Sequence, residues 1–186
     1  VDATGRDESI LVFCAVIVEI GSGPGYLGLE WLKNTKETSL QGVDISFEMI
    51  HIADQNAREY GFEQRARYVQ GDAQRIPFDD NSFDAVFSNG SLHEWAEPKN
   101  VLNEIHRVLK PNGRYFISDL RRDINLLMKW SMYLITKPKE IRPGLSTSLN
   151  AAYTVDEIRA ILNKTLLKDG HITKNIIGLE ITGVKA

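Results

Sequence analysis

Glu19-Ile20-Gly21-Ser22-Gly23-Pro24-Gly25 closes an apolar, β-branched run, Leu11 to Ile20, and is followed at once by a helical pattern from Tyr26 to about Asn34. Such a run reads as a central strand covered on both faces. The glycines turn the chain and let the backbone approach a ligand, because glycine lacks Cβ and tolerates positive φ. Strand, glycine turn and helix predict the opening unit of a doubly wound α/β sheet.

The next strand, Leu40 to Asp44, ends on a carboxylate 19 residues after Gly25. A carboxylate so placed can accept both hydroxyl hydrogens of a ribose, so loop and Asp44 together point to a nucleoside cofactor. Two kinds remain open. Gly23, Gly25 and Gly28 spell G-x-G-x-x-G, the pattern that seats a pyrophosphate on a helix N-terminus. Glu19 is an anion two residues before Gly21, which a pyrophosphate would avoid and a cationic ligand would tolerate or seek.

The same alternation continues along the chain. Ser46 reads as the N-cap of a helix to about Tyr60, with Ile50, Ala53 and Ala57 on one face and Gly61 as terminator. Arg67 to Gln70 and Phe83 to Ser88 read as the third and fourth strands. A helix opens at Pro98, carries Val101, Leu102, Ile105, Val108 and Leu109 at helical spacing, and stops at Lys110-Pro111-Asn112-Gly113 before a fifth strand, Arg114 to Asp119. Thr154 and Glu157 form a capping box for a helix burying Ile158, Ile161 and Leu162. His171 to Ile177 and Leu179 to Lys185 read as a closing hairpin that pivots at Gly178.

The expected fold is therefore α/β, a doubly wound, seven-stranded and mostly parallel sheet with an antiparallel C-terminal hairpin strand. With 186 residues, 42% of them hydrophobic, the expectation is one domain over 1–186. Its cofactor-binding half would span about 10–120, a lid and acceptor region about 121–153, and the closing helix and hairpin 154–186.

A formal net charge of -3 leaves no basic footprint for nucleic acid and favours a small-molecule partner. Cys14 is the single cysteine, which argues against a disulfide framework and against a metal site built on thiols. The longest apolar stretch, Ile10 to Val18, has nine residues, too few to cross a bilayer, and lacks the flanks of a signal peptide. A soluble, cytoplasmic protein is expected.

From about Val16 to Asp119 the sequence resembles the class I, Rossmann-like S-adenosylmethionine-dependent methyltransferases, in particular the small-molecule branch that contains the quinone-biosynthesis methyltransferases. Four segments in order carry the likeness: E-I-G-S-G-P-G at 19–25, G-V-D-I at 42–45, G-D-A at 71–73 followed by Ile76-Pro77-Phe78, and S-F-D-A-V-F-S-N-G-S-L-H-E-W at 82–95. The stretch from Glu104 to Gly113 matches the family's next helix and turn. The resemblance implies that Glu19, Gly21, Ser22, Gly23, Pro24 and Gly25 hold the methionine part of S-adenosyl-L-methionine. Asp44 would hold the ribose and Asp72 the adenine amino group, with Ile45 and Ala73 flanking the ring. Met49, Gly71, Ser88 and Asn89 complete the expected cofactor contacts, and S-adenosyl-L-homocysteine would be the product.

Methyl transfer asks a protein mainly for proximity, orientation and a dry site, because the cofactor brings its own leaving group. His93, just beyond the fourth strand, is the candidate base or else a pocket-lining, hydrogen-bonded histidine, with Glu94 placed to orient it or to face solvent, and Trp95 to pack or to contact the methyl acceptor. Arg121 and Arg122 could meet a substrate carboxylate or phosphate, or open a solvated helix. Leu126 to Ile135 is apolar on too many sides for a surface helix, so it is expected to be covered by protein, by substrate, or by a second copy in a homodimer. The Trp, Tyr and Met content of Leu126 to Tyr153 predicts an apolar or aromatic acceptor. Members of the family carry some tens of residues of helix before the first strand that close over the cofactor. About ten precede it here, so those elements are expected to be short or to lie outside this chain, or another part of the protein covers the cofactor.

Other readings stay open on the sequence. One is a regulatory module that binds the cofactor without turnover. Another is a methyltransferase acting on macromolecules, although Ser88-Asn89-Gly90-Ser91 lacks the Asn/Asp-Pro-Pro-aromatic motif and the chain lacks a basic face. A nicotinamide oxidoreductase is disfavoured by Glu19, Asp72 and the closing hairpin.

Overall fold

The computed structural model describes residues 15–135, 137 and 142–186. Strand β1 spans Ala15–Ile20, and the part of the expected strand before Ala15 lies outside the described residues, as does Cys14. Side chains of β1 alternate between two apolar layers. Ile17 joins one, with Leu29, Leu32, Ile50 and Tyr68, while Val18 and Ile20 join the other, with Leu102, Ile105 and Ile158. A central strand buried on both faces cannot show polar alternation, which is why its sequence is almost wholly apolar.

Parallel neighbours flank β1: β2 (Thr38–Asp44) on one side and β4 (Phe83–Asn89) on the other. The described sheet has the order β3-β2-β1-β4-β5-β7-β6, with β3 at Ala66–Gln70, β5 at Leu109–Leu120, β6 at His171–Lys174 and β7 at Gly178–Val184. Only β7 runs against the rest, pairing antiparallel with both β5 and β6. The doubly wound, mostly parallel, seven-stranded sheet expected from the sequence is borne out. Its strand order reverses between β1 and β4, and the crevice beyond the carboxyl ends of such strands is where ligands bind.

Helices α1 (Tyr26–Lys33) and α2 (Phe47–Glu59) cover the β1–β3 half of one face. Helix α3 (Pro98–Val108) lies on the opposite face. Pro98 opens α3 at a position where a missing N–H costs nothing, and Val101, Leu102, Ile105 and Val108 are all buried. Burial of each such side chain contributes about 1.5–3 kcal/mol, enough to make this stripe the main anchor of the helix. Two further helices, α4 (Leu126–Ile135) and α5 (Arg142–Ala151), follow β5. Helix α6 (Val155–Leu162) starts on the capping box: Thr154 Oγ1 accepts the Glu157 amide at 3.3 Å, and Glu157 Oε2 accepts the Thr154 amide at 2.8 Å. Ile158 and Leu162 are buried and Ile161 partly so.

Two boundaries differ from expectation. Lys110-Pro111-Asn112-Gly113 does not separate α3 from a new strand. Strand pairing begins at Leu109 opposite Phe83 and resumes with Arg114 opposite Ala85, so the four residues bulge out of one continuous strand. Asn112 takes φ 63 there, and the bulge is tied to the C-terminus by Asn112 N–H to Lys185 O at 2.9 Å and Lys185 Nζ to Leu109 O at 2.8 Å. The hairpin turn also begins earlier than Gly178. Asn175 Oδ1 accepts the amides of Ile177 and Gly178 at 3.0 and 2.8 Å, a side-chain turn that ends β6 at Lys174.

Candidate functional site

The turn after β1 is shaped by three left-handed glycines, Gly21 (φ 68), Gly23 (φ 49) and Gly25 (φ 79), the last being the N-cap of α1. Gly21 is also needed for space, since a Cβ there would lie 2.5 Å from both Cβ and Oγ of Ser91. The amides of Gly21 and Ser22 donate to Val43 O at 2.8 and 3.1 Å, and buried Asn56 donates from Nδ2 to Pro24 O at 2.8 Å. Asp44 clamps the loop from the end of β2: one carboxylate oxygen accepts Gly23 N–H at 2.8 Å and the other accepts Ser46 N–H at 2.9 Å. Each of those oxygens keeps a further lone pair for a ligand hydroxyl.

Glu19 lies behind this loop, 3% exposed, on the α1 side of the sheet. Its Oε2 is buried with no hydrogen-bond partner. Gly28 makes the room, because a Cβ there would stand 2.6 Å from that oxygen. Burial pushes the Glu19 carboxyl up to about 8; the Gly28 amide pulls it down, and neighbouring Asp44 adds to the rise. A cation beside the unpartnered Oε2 would satisfy it and draw the carboxyl back to its charged form.

Gly21, Asp44, Ile45, Gly71, Asp72, Ala73, Ser91 and Trp95 line one open cleft that holds about 610 Å³ of unfilled space, open solvent included. Asp72 is exposed; its Oδ1 accepts the Gln74 amide at 2.8 Å and caps a 3-10 turn, Ala73–Arg75. The loop after this turn is fixed from α3. Glu104 Oε2 accepts Ile76 N–H at 2.9 Å, while Arg107 donates to Ile76 O and Phe78 O at 2.9 and 2.8 Å and pairs with Glu104 at 2.7 Å. Arg107 holds the Glu104 carboxyl below its ordinary range.

Not every expected cofactor residue reaches the cleft. Ser88 is fully buried, and its hydroxyl donates to Ile20 O at 2.7 Å and lies 2.7 Å from Ser91 Oγ. It therefore shapes the floor and cannot touch a ligand. Asn89 is occupied at the far end of β4, accepting Ser118 Oγ–H at 2.6 Å. Glu19, Ser22, Gly23, Pro24, Gly25, Met49, Asn89 and the candidate base His93 stand outside the lining of the cleft, and Ser22 Oγ is buried without a partner. Trp95 is 8% exposed and donates from Nε1 to Ser91 Oγ at 3.2 Å, so it packs as expected while its edge lines the cleft.

His93 sits in a second 3-10 turn, Leu92–Glu94, beside the end of β5. Its Nδ1 is 2.9 and 3.0 Å from the two carboxylate oxygens of Asp119, and its backbone N–H donates to Asp119 Oδ2 at 2.8 Å. The side chains are 8% and 1% exposed. Glu94, in contrast, is 74% exposed, with Oε1 3.8 Å from His93 Nε2. The orienting carboxylate is thus Asp119, not Glu94, and Glu94 stands at the rim of the cleft.

Arg121 and Arg122 are spent on structure. Arg121 pairs with Asp123 at 2.8 Å and donates to Asn175 O at 3.0 Å, while Arg122 pairs with Glu157 and donates to Ala152 O at 2.8 Å. Neither is available as an anion fork. Helix α4 has no buried residue, and Leu126, Trp130 and Tyr133 are 83%, 62% and 46% exposed. With Leu145, Ser146 and Leu149 of α5 they line an apolar groove, and α5 packs on the turn that carries His93.

Residues 18–117, more than half of the chain, match the family model described as a methyltransferase domain. The chain belongs to the methyltransferase-domain family. Among curated relatives, the ubiquinone/menaquinone biosynthesis C-methyltransferase of Blochmanniella pennsylvanica is 28% identical over 87% of this chain and 65% of its own length. The demethylmenaquinone methyltransferase of Lactobacillus johnsonii is 34% identical over 67% of this chain and 49% of its own. The chain therefore spans less than two thirds of the length of these relatives. A solved S-adenosylmethionine-dependent methyltransferase from Aquifex aeolicus superposes with a TM-score of 0.69, at 19% identity, over 92% of this chain and 82% of that one.

Within the methyltransferase-domain frame, Asp119, Asn56, Glu104 and Arg107 support the site and were not singled out from sequence. Asp119 ends a strand beside the switch point, and Glu104 and Arg107 stand three apart on one helix. Those were the available signals. Among the described residues no group of three His, Cys, Asp or Glu could hold a metal, and no helix is long and apolar enough to cross a membrane.

Proposed function

We propose that the chain is an S-adenosylmethionine-dependent methyltransferase acting on a small apolar or aromatic acceptor. The observation that carries this reading is the convergence of Gly21, Asp44, Asp72 and Ala73 from the ends of β1, β2 and β3 on one cleft. The residues present fit S-adenosylmethionine. Asp44 has lone pairs left for ribose hydroxyls, Asp72 can accept from an adenine amino group, and Ile45, 71% exposed, and Ala73 offer apolar walls to a ring. Buried Glu19, with its unpartnered oxygen, favours a cationic moiety behind the glycine loop over a pyrophosphate.

S-adenosylmethionine, when bound, supplies the methyl group and keeps the electron pair of the bond that breaks. The chain itself orients and dries the site. Trp95 and the Ser88–Ser91 pair fix its floor, and His93 is placed to hold a proton from the acceptor at Nε2. The α4–α5 groove is the acceptor wall in this reading, and its exposed apolar residues also support a homodimer through 126–135. A cytoplasmic, single-domain enzyme fits the lone cysteine and the formal net charge of -3.

Labelled-methyl transfer to pooled metabolites, with product mass as the readout, tests the proposal. A labelled small product that depends on the intact Asp44 supports it. Label found only on protein or nucleic acid overturns the small-molecule assignment.

A further inference from the structure

We propose that Asp119 is a positioning residue that fixes His93 in the Nδ1–H tautomer, so that Nε2 serves as the base for an acceptor that must lose a proton. The inference rests on the methyltransferase reading and narrows the acceptor class to a weakly acidic O–H, N–H or activated C–H. A thioether or a tertiary amine, which has no proton to give up, is excluded.

Asp119 is the only carboxylate within hydrogen-bond reach of His93 among the described residues, and its side chain is 1% exposed. It accepts the backbone amides of His93 at 2.8 Å and Leu120 at 2.6 Å as well as Nδ1 at 2.9 Å. A carboxylate has no hydrogen to offer, so the hydrogen on that contact belongs to Nδ1. Nε2 then carries the lone pair, and no hydrogen bond occupies it among the described residues. This is the division of labour of a buried Asp–His pair, in which the carboxylate sets tautomer and orientation and is not itself protonated.

The fold places the pair for that task. Asp119 is at the carboxyl end of β5 and His93 just past the end of β4, both at the carboxyl edge of the sheet; His93 does not itself line the cleft, but Ser91, Glu94 and Trp95 of the same turn do. Glu94, on the same turn, has Oε1 3.8 Å from Nε2, and residues 143–151 of α5, which packs on the turn, contain no charged or titratable side chain. A buried imidazole whose Nδ1 side is held by Asp119 keeps Nε2 open to accept a proton.

The balance is simple. The proton of the acceptor X–H bond goes to Nε2, the pair left on X forms the bond to the methyl carbon, and the pair of the broken carbon–sulfur bond stays on sulfur. The positive charge of the sulfonium reappears as the proton on His93.

The test is the side-chain nitrogen NMR spectrum of the cofactor-free chain near neutral pH, with the four histidines assigned by comparison with His93→Gln. The native chain is expected to show His93 as Nδ1–H. Asp119→Asn, whose amide can donate to Nδ1, is expected to move it to Nε2–H, and Glu94→Gln to leave it unchanged. Nε2–H in the native chain, or no change in Asp119→Asn while the fold persists, would overturn the inference. With the acceptor from the labelled-methyl screen, Asp119→Asn should lower kcat by roughly 10²- to 10⁴-fold with little change in KM. An equal kcat would also overturn it. Failure of the native chain to bind S-adenosylmethionine by calorimetry is the separate outcome that sinks the methyltransferase reading, and it leaves the tautomer result standing on its own.

Discussion

Asp44 accepts the amide of Gly23 at 2.8 Å across 21 residues of sequence, so the residue read as a ribose ligand is also the clamp that holds the glycine loop to the end of β2. Two consequences of removing it should therefore appear together. Asp44→Ala should weaken binding of S-adenosylmethionine by about 1–3 kcal/mol, the cost of charge-assisted hydrogen bonds left unmade. It should also raise amide hydrogen exchange at Gly23 in the free chain. Calorimetry and exchange on the same variant check both, and unchanged affinity would remove Asp44 from the site.

Glu19 makes stability depend on pH. Its carboxyl titrates at about 8 in the folded chain against an ordinary 4.5, so between those values the folded state binds more protons than the unfolded one. The contribution is fully present below about 4.5 and is lost as pH rises through about 8. Glu19→Gln, which cannot ionise, should gain on the native chain by on the order of a few kcal/mol between pH 6 and pH 9. Urea midpoints at the two pH values measure the gap, and a constant gap would contradict the burial argument.

Gly21 combines a left-handed φ of 68 with a wall 2.5 Å from any added Cβ. Gly21→Ala should therefore lose more than about 1 kcal/mol of stability and most of its cofactor affinity. Gly61, also left-handed but with open space around it, should lose stability on the same change without affecting binding. Equal binding defects in the two variants would deny the loop its role.

Most of this site was legible in the sequence because it is local. The Gly21–Gly25 turn, the Asp44 strand end and the Gly71–Ala73 loop each announce themselves within a few residues, and the capping box at Thr154 does the same. What escaped depends on register between distant segments. Asp119 reaches His93 across 26 residues and Asn56 reaches Pro24 across 32, distances over which no period or spacing signals a contact. The burial of Ser88 is hidden from the sequence for the same reason. Strand alternation says which face a residue takes, and only the neighbouring Ile20 carbonyl and Ser91 hydroxyl turn that face into a closed floor. The Lys110–Gly113 bulge read as a chain break because proline and glycine punctuate turns and strand bulges alike.

The apolar α4–α5 groove gives the acceptor region a direct check. Replacing Trp130 and Tyr133 together by alanine removes two exposed rings that hold no buried core, so the melting temperature should stay within a few degrees. Acceptor turnover should fall at least tenfold, with cofactor affinity unchanged. Unaltered turnover would move the acceptor wall elsewhere.

The central claim is that the cleft at the ends of β1, β2 and β3 takes S-adenosylmethionine and not a dinucleotide. Calorimetry of the native chain with S-adenosylmethionine, S-adenosylhomocysteine and NAD tests it most directly. Saturable binding of the first two is expected, abolished or weakened in Asp44→Ala, and none of NAD. Binding of NAD alone would contradict it.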